Sequence, residues 1–134
     1  MAITVNEVQV LWSTAAYLSI AAAGNGTSDA FAIDQTCFQA TIECKADNDG
    51  TPAAGDTVDF YLLATLGDPD GADASEYGTT VQDLHLCTLD TNTTDPAICT
   101  VQIPVPLVGG KIYAVNNSAE RAITVSTIIL EQRG

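Results

Sequence analysis

Basic side chains are almost missing from this sequence. Its 134 residues carry 4 Lys and Arg against 17 Asp and Glu, for a net charge of −13. Lys45, Lys111, Arg121 and Arg133 are scattered along the chain and make no patch. Nucleic-acid binding is excluded, because affinity for a phosphate backbone rests on clustered Lys and Arg. The same balance repels an anionic membrane surface. The most apolar run, Val8 to Ala23, is shorter than the ~20 residues that span a bilayer, and Ser13, Thr14 and Ser19 interrupt it. No Lys or Arg precedes Lys45, so the basic start of a secretory leader is missing and no leader is expected.

Histidine is nearly absent too. His85 is the single imidazole, which leaves little for a Cys/His metal site or a general base. The cysteines Cys37, Cys44, Cys87 and Cys99 show no CxxC spacing, against a zinc ribbon or a thioredoxin-like motif. Cys87 and Cys99 flank the turn-rich segment TLDTNTTDPAI and are the candidate disulfide, closing a hairpin. The competing reading is of buried thiols packing as small hydrophobes in a chain made in a reducing compartment. His85 and Cys87, at i and i+2, would share a strand face, as a Cys–His pair requires. No nucleophile elbow or oxyanion loop accompanies them, so no catalytic residue is assigned and the chain is not expected to be an enzyme.

What is present is period-two alternation nearly throughout. Phe38, Ala40, Ile42 and Cys44 alternate with polar residues, and Val58, Phe60 and Leu62 lie opposite Asp59, Tyr61 and Leu63. Leu84 and Leu86 alternate with His85 and Cys87, and Cys99, Val101 and Ile103 with Thr100 and Gln102. Ile123, Val125, Thr127 and Ile129 close the chain. Near the start, Ile3 and Val5 share one parity and Val8, Val10 and Trp12 the other, which predicts a register change at Glu7. Phe38 and Phe60 are read as core. Turn clusters such as GNGTSD, DNDGTPAAGD and NNSAE separate the runs. About eight short strands punctuated by turns predict one all-β domain over residues 1–134, an antiparallel sandwich. The only Trp precedes every Cys, unlike the immunoglobulin pattern, which favours a jelly roll. Pro104 and Pro106 mark an edge or a strand exit. The segment 1–8, apolar from its start, reads as an assembly arm carried by Ile3, Val5 and Val8.

The densest acidic stretch is GDPDGADASEY, with Asp68, Asp70, Asp73 and Glu76. These four are the candidate calcium ligands, but the Gly falls too early for an EF-hand loop and strands flank it. Asp-Pro and Asp-Gly pairs set turns on their own, so the expectation is a solvated loop and no cofactor. A glycosidase pair needs one acid in an apolar pocket. Nearly all the acids lie in turn clusters; Asp34 and Asp59 are the exceptions.

From TVDFYLLATLGDPDG through QDLHLCTL and IPVPL to KIYAVNNSAERAITVSTIILEQ, the layout resembles the jelly-roll capsid decoration, or cement, proteins of tailed bacteriophages. The resemblance covers roughly residues 57 to 131. It implies a non-enzymatic virion protein, made in the host cytoplasm. Such a protein binds the major capsid protein on the outer surface of an icosahedral shell, often as a homotrimer. It also implies a closing hairpin around Asn116 and Asn117. No catalytic residue carries over. The four cysteines and the acidity depart from that pattern. The alternatives are a calcium-assisted carbohydrate-binding sandwich, for which Tyr77 is the one exposed ring expected, and a tail or receptor-binding component.

Overall fold

The computed structural model describes residues 3–34, 36–65, 84–103 and 109–134. These residues form ten strands and, among them, no helix: β1 (Thr4–Gln9), β2 (Leu18–Ile20), β3 (Asn25–Thr27), β4 (Phe31–Ala32), β5 (Gln39–Asn48), β6 (Thr57–Thr65), β7 (Leu84–Asp90), β8 (Ala97–Ile103), β9 (Gly109–Asn116) and β10 (Ile123–Arg133). All pairings are antiparallel.

The first sheet runs β1-β10-β5-β8, with β2 beside β1 on the same flank of β10. The second runs β3-β9-β6-β7, with β4 also on β9. Counting β1/β2 and β3/β4 each as one interrupted strand gives two four-stranded sheets in jelly-roll order, so the fold class read from the sequence holds. The interruptions explain why the strands outnumber the apolar runs. After β1 the chain makes a tight reversal at Ser13 and Thr14, both at positive φ, and their amides donate to the Asp29 carboxylate at 3.3 and 3.1 Å. The acceptor offsets the cost of left-handed backbone at residues other than glycine.

Alternation fixes which side chains meet between the sheets. Ala40, Ile42, Cys44 and Ala46 of β5 face inward with Val58, Phe60 and Leu62 of β6, Ile112 and Ala114 of β9, and Ile123, Val125 and Ile129 of β10. At the flank where the edge strands β7 and β8 meet, a Cys87–Cys99 disulfide joins them. These consecutive strands belong to different sheets, so the bond staples the sandwich and closes no hairpin. The same holds for β9 and β10: the Asn116–Asn117 turn is an arch from one sheet to the other, not the paired hairpin that the resemblance implies.

Three further differences have simple causes. Phe38 precedes β5 and is 52% exposed, whereas Phe60 is 0% exposed. The β1–β10 ladder runs unbroken from Thr4 to Gln9, with no register change at Glu7. Parity is therefore conserved: Asn6 and Val8 turn inward, while Ile3 and Val5 turn out to solvent, 63% and 56% exposed. Residues 4–8 are thus part of an edge strand of their own sheet.

At one end of the sandwich a knot of polar side chains ties the loops. Asp56 accepts from Ser118 Oγ at 2.7 Å, Ala53 N at 3.0 Å, Asn48 Nδ2 at 3.1 Å and Arg121 Nη1 at 3.4 Å. Asn48 Nδ2 also donates to Thr91 Oγ1, which donates to the Asp56 carbonyl. Asn116 Nδ2 donates to the carbonyls of Ile20, Ala21 and Arg121. The hydrogen bond from Ser118 holds the Asp56 carboxyl below its usual range despite burial, helped by Ala53, Asn48 and Arg121.

Phe60→Ala is expected to lower the unfolding free energy by about 3–5 kcal/mol, from lost burial and a residual cavity. It would be read as a lower urea midpoint at unchanged slope, and a cost under about 1 kcal/mol would contradict the packing. Because the folded pKa of Asp56 is depressed, its contribution is full above the unfolded value, about 3.9, and fades as pH falls through the folded value. Calorimetric Tm is therefore expected to fall steeply on acidification below about pH 4. Asp56→Asn should lower Tm at neutral pH and flatten that acid limb; an unchanged limb would show that the knot does not titrate.

Candidate functional site

The residues singled out from the sequence fall in three places. Asp68, Asp70, Asp73, Glu76 and Tyr77 lie outside the described residues. Asp34 sits near the end of the first sheet, where Arg133 Nη1 meets its carboxylate at 2.7 Å. Hydrogen bonds from the Thr36 backbone and hydroxyl lower its pKa, and Arg133 adds to this. The inward Glu131 beside it accepts from Asn6 Nδ2 at 2.9 Å and Asp34 N at 2.5 Å. This group pins the chain ends of the sheet and offers no open site.

The sulfurs of Cys44, Cys87 and Cys99 lie within 4.8 Å of one another, a grouping with metal-ligand spacing. With Cys87 and Cys99 bonded to each other, only Cys44 can supply a thiolate. Burial pushes the Cys44 thiol up to about 12, so at neutral pH it packs as a small hydrophobe.

The two outer faces of the sandwich differ. On the first sheet, Val5 is paired with Gln132, Glu7 with Leu130 and Gln9 with Ile128, so Ile3, Val5, Ile128 and Leu130 share a face. Beside them a groove of about 300 Å³ is lined by Tyr17, Lys45, Asp47 and Thr124 among others, with Tyr17 61% exposed. Glu7, Gln9 and Gln132 are interleaved with these aliphatic side chains, and Ile3 and Val5 are the most exposed of them.

On the second sheet the outward positions of three strands make a row of rings. Tyr113 of β9 pairs with Tyr61 of β6, and Tyr61 with His85 of β7. The ring centroids are 6.0 Å apart for Tyr61–Tyr113, tilted by 39°, and 5.3 Å for Tyr61–His85, at 62°. The next row carries hydrogen-bonding groups. Asp59 accepts from Thr88 Oγ1 and from Asn117 Nδ2 at 2.9 Å, with His85 Nε2 3.5 Å away. Partial burial works to raise the Asp59 pKa, but the hydrogen bonds from Thr88, Asn117 and His85 outweigh it and hold the carboxyl below its usual range. The Tyr61 hydroxyl is pushed the other way, by burial and then by Asp59 and Tyr113, so it stays protonated as a donor. Exposed Thr27 and Asn25 of β3 lie beside Tyr113 and Val115 and extend the polar margin.

A β-bulge builds this row. Phe60 is paired with Cys87 but Tyr61 with His85, which leaves Leu86 unpaired in the ladder. The extra residue reverses parity along β7. Cys87 therefore faces inward toward the disulfide while His85 faces outward beside Tyr61. Strict alternation would have put both on one face, so the Cys–His pairing considered from the sequence does not form. The sequence does place Tyr61 on the face opposite Phe60. It carries no signal that Tyr113 and His85 flank it, because that depends on strand order and on the bulge.

No protein-family model matches the chain, and no curated protein matches it in sequence. Solved structures match in fold. The family 29 carbohydrate-binding module CBM29_1 of Piromyces equi superposes with a TM-score of 0.52 at 7% identity, over 98% of this chain and 92% of that one. VP2 of infectious bursal disease virus, in a subviral particle, gives 0.55 at 12% identity, over 98% of this chain and 32% of that one. The acid-stable capsid structure of Helicobacter pylori bacteriophage KHP30 gives 0.43 at 14% identity, over 96% of this chain and 93% of that one. At such identities the likeness is one of fold: this chain has a jelly roll of the kind found both in viral capsid proteins and in carbohydrate-binding modules.

Proposed function

We propose that this chain is a structural virion protein, a decoration or cement protein that binds the outside of an icosahedral shell and stabilises it. The observation that carries the reading is the outer face of the first sheet. An unbroken ladder holds Ile3 and Val5 outward on an edge strand, with Leu130 diagonal to Val5 on the same face. Among the described residues the far edge of β1 pairs with no strand. Its N–H and C=O groups and the exposed Ile3 and Val5 beside them favour docking onto another protein surface.

The partner in this reading is the major capsid protein, with copies of the chain held as a homotrimer or another homo-oligomer. The protein is made in the host cytoplasm and ends on the capsid surface, with a structural and not an enzymatic role. Both supports, the exposed Ile3 and Val5 and the sequence resemblance to tailed-phage decoration proteins, bear on the same surface role. A tail or receptor-binding component would share the fold and differ in copy number.

Quantitative mass spectrometry of purified particles is expected to find this chain at a fixed ratio to the major shell protein, near one or one third. A handful of copies would move it to the tail or a vertex, and absence would overturn the virion reading. Burying one Val or Ile contributes about 1.5–3 kcal/mol. Ile3→Asp with Val5→Asp should therefore weaken shell binding by roughly a hundredfold or more, while Tm stays within a few degrees because both side chains are solvent-exposed. Full occupancy by the double variant would show that this face is not the docking surface.

A further inference from the structure

The ring row on the second sheet lies on the side of the sandwich away from Ile3 and Val5, and the shell-docking reading does not use it. It gathers Tyr113, Tyr61 and His85 on three neighbouring strands with Asp59, Thr88, Asn117, Thr27 and Asn25 around them. We propose that this row is a binding site for soluble, neutral oligosaccharide chains.

A pyranose has an apolar C–H face and a rim of hydroxyls. It is recognised by an aromatic face beneath it and hydrogen-bonding groups at its side, the mixture that small-molecule sites combine. The row supplies both. The centroid spacings of 6.0 and 5.3 Å are close to the length of one pyranose unit, so consecutive rings can lie under consecutive sugars. Asp59 spends its contacts on Thr88, Asn117 and His85, which fix its direction. An ionised carboxylate has about four lone-pair sites, enough to accept a sugar hydroxyl as well. The Tyr61 hydroxyl, kept protonated, can donate.

Two features narrow the ligand. The Asp59 carboxylate and the net charge of −13 disfavour sialic and uronic acids, leaving neutral sugars. The rings are tilted by 39° and 62° to one another and do not form one plane. A flat crystalline polysaccharide cannot touch all three at once, whereas a twisted soluble chain can. The contacts invoked here involve none of the acids from Asp68 to Glu76 and call for no calcium. This separates it from the calcium-assisted module weighed from the sequence.

The test is a glycan array of neutral and acidic oligosaccharides, followed by titration calorimetry of the full chain with the neutral hexasaccharides that bind. Cellohexaose, maltohexaose and mannohexaose serve as first probes, and sialyllactose and tri-galacturonate as acidic controls. At least one neutral probe is expected to bind, unaffected by EDTA, with the acidic controls silent. Tyr61→Ala should weaken binding at least tenfold and Asp59→Asn severalfold, while Tyr61→Phe retains most of it and reports that the sheet is intact. Tyr17→Ala, in the groove on the opposite sheet, should leave binding unchanged. Absence of binding to every neutral probe, binding retained by a folded Tyr61→Ala variant, or loss on Tyr17→Ala would each overturn the proposal. Because the readout needs no particle, its failure is independent of the shell-docking reading.

Discussion

Two sheets that face each other across apolar side chains share no ladder, and what ties the loops between them at one end is the buried carboxylate of Asp56. It stands just before β6 in the second sheet and binds Asn48 at the end of β5 in the first. Through Ser118 and Arg121 it also holds the arch from β9 to β10, and through Thr91 the turn after β7. Asn116, at the end of β9, reaches the carbonyls behind β2. Every crossing between sheets at this end is thus tied to one charge or its neighbours. A buried ionised group is tolerated only when its lone pairs are used, and here they are. The network sets the relative placement of the sheets, and hence the strand ends on which both outer faces depend.

The two outer faces are the outward halves of the strands that make the core. In a pleated strand, packing dictates every second residue and leaves the other free. The first sheet uses that freedom for aliphatic side chains at Ile3, Val5, Ile128 and Leu130. The second uses it for rings and hydrogen-bonding groups. A sandwich with exposed aliphatic side chains on one face and rings on the other can dock by the first and present the second. This is the sense in which the two proposals are compatible without depending on each other.

Much of this was legible in the sequence, because period two is a direct consequence of the pleat. The inward faces of β5, β6 and β10 follow from alternation alone, and so does the sandwich class. What alternation cannot reveal is where parity breaks. Ile3 and Val5 share a face with Val8 only if the register changes at Glu7, yet the ladder keeps its register, leaves the first two exposed and turns Val8 inward. At Leu86 the reverse happens: the pattern reads as regular and a bulge breaks it, separating His85 from Cys87. Asp56 and Asn116 look like turn residues because they stand among Gly, Ala, Asn and Ser. Their burial comes from loops brought together across the sandwich, which no local window contains. Phe38 misleads for the opposite reason, since it continues a pattern one residue beyond the point where the strand begins.

Charge bears on how a molecule with exposed aliphatic side chains on one face meets other copies of itself. Arg121 and Arg133 are engaged by Asp56 and Asp34, so at least half of the few bases are engaged within the chain. Copies at a net charge of −13 repel each other, so any contact between the exposed Ile3 and Val5 of different copies has that repulsion to offset. A shell surface of neutral or basic character removes the repulsion and leaves the apolar contact. Were both proposals to hold, copies fixed on a lattice would gain by multivalency, since each further contact of one polysaccharide with the array becomes effectively intramolecular. An open row of tilted rings on a sheet face encloses little of a ligand, so weak binding per copy is what this geometry favours, and an array would supply the strength that a single site lacks.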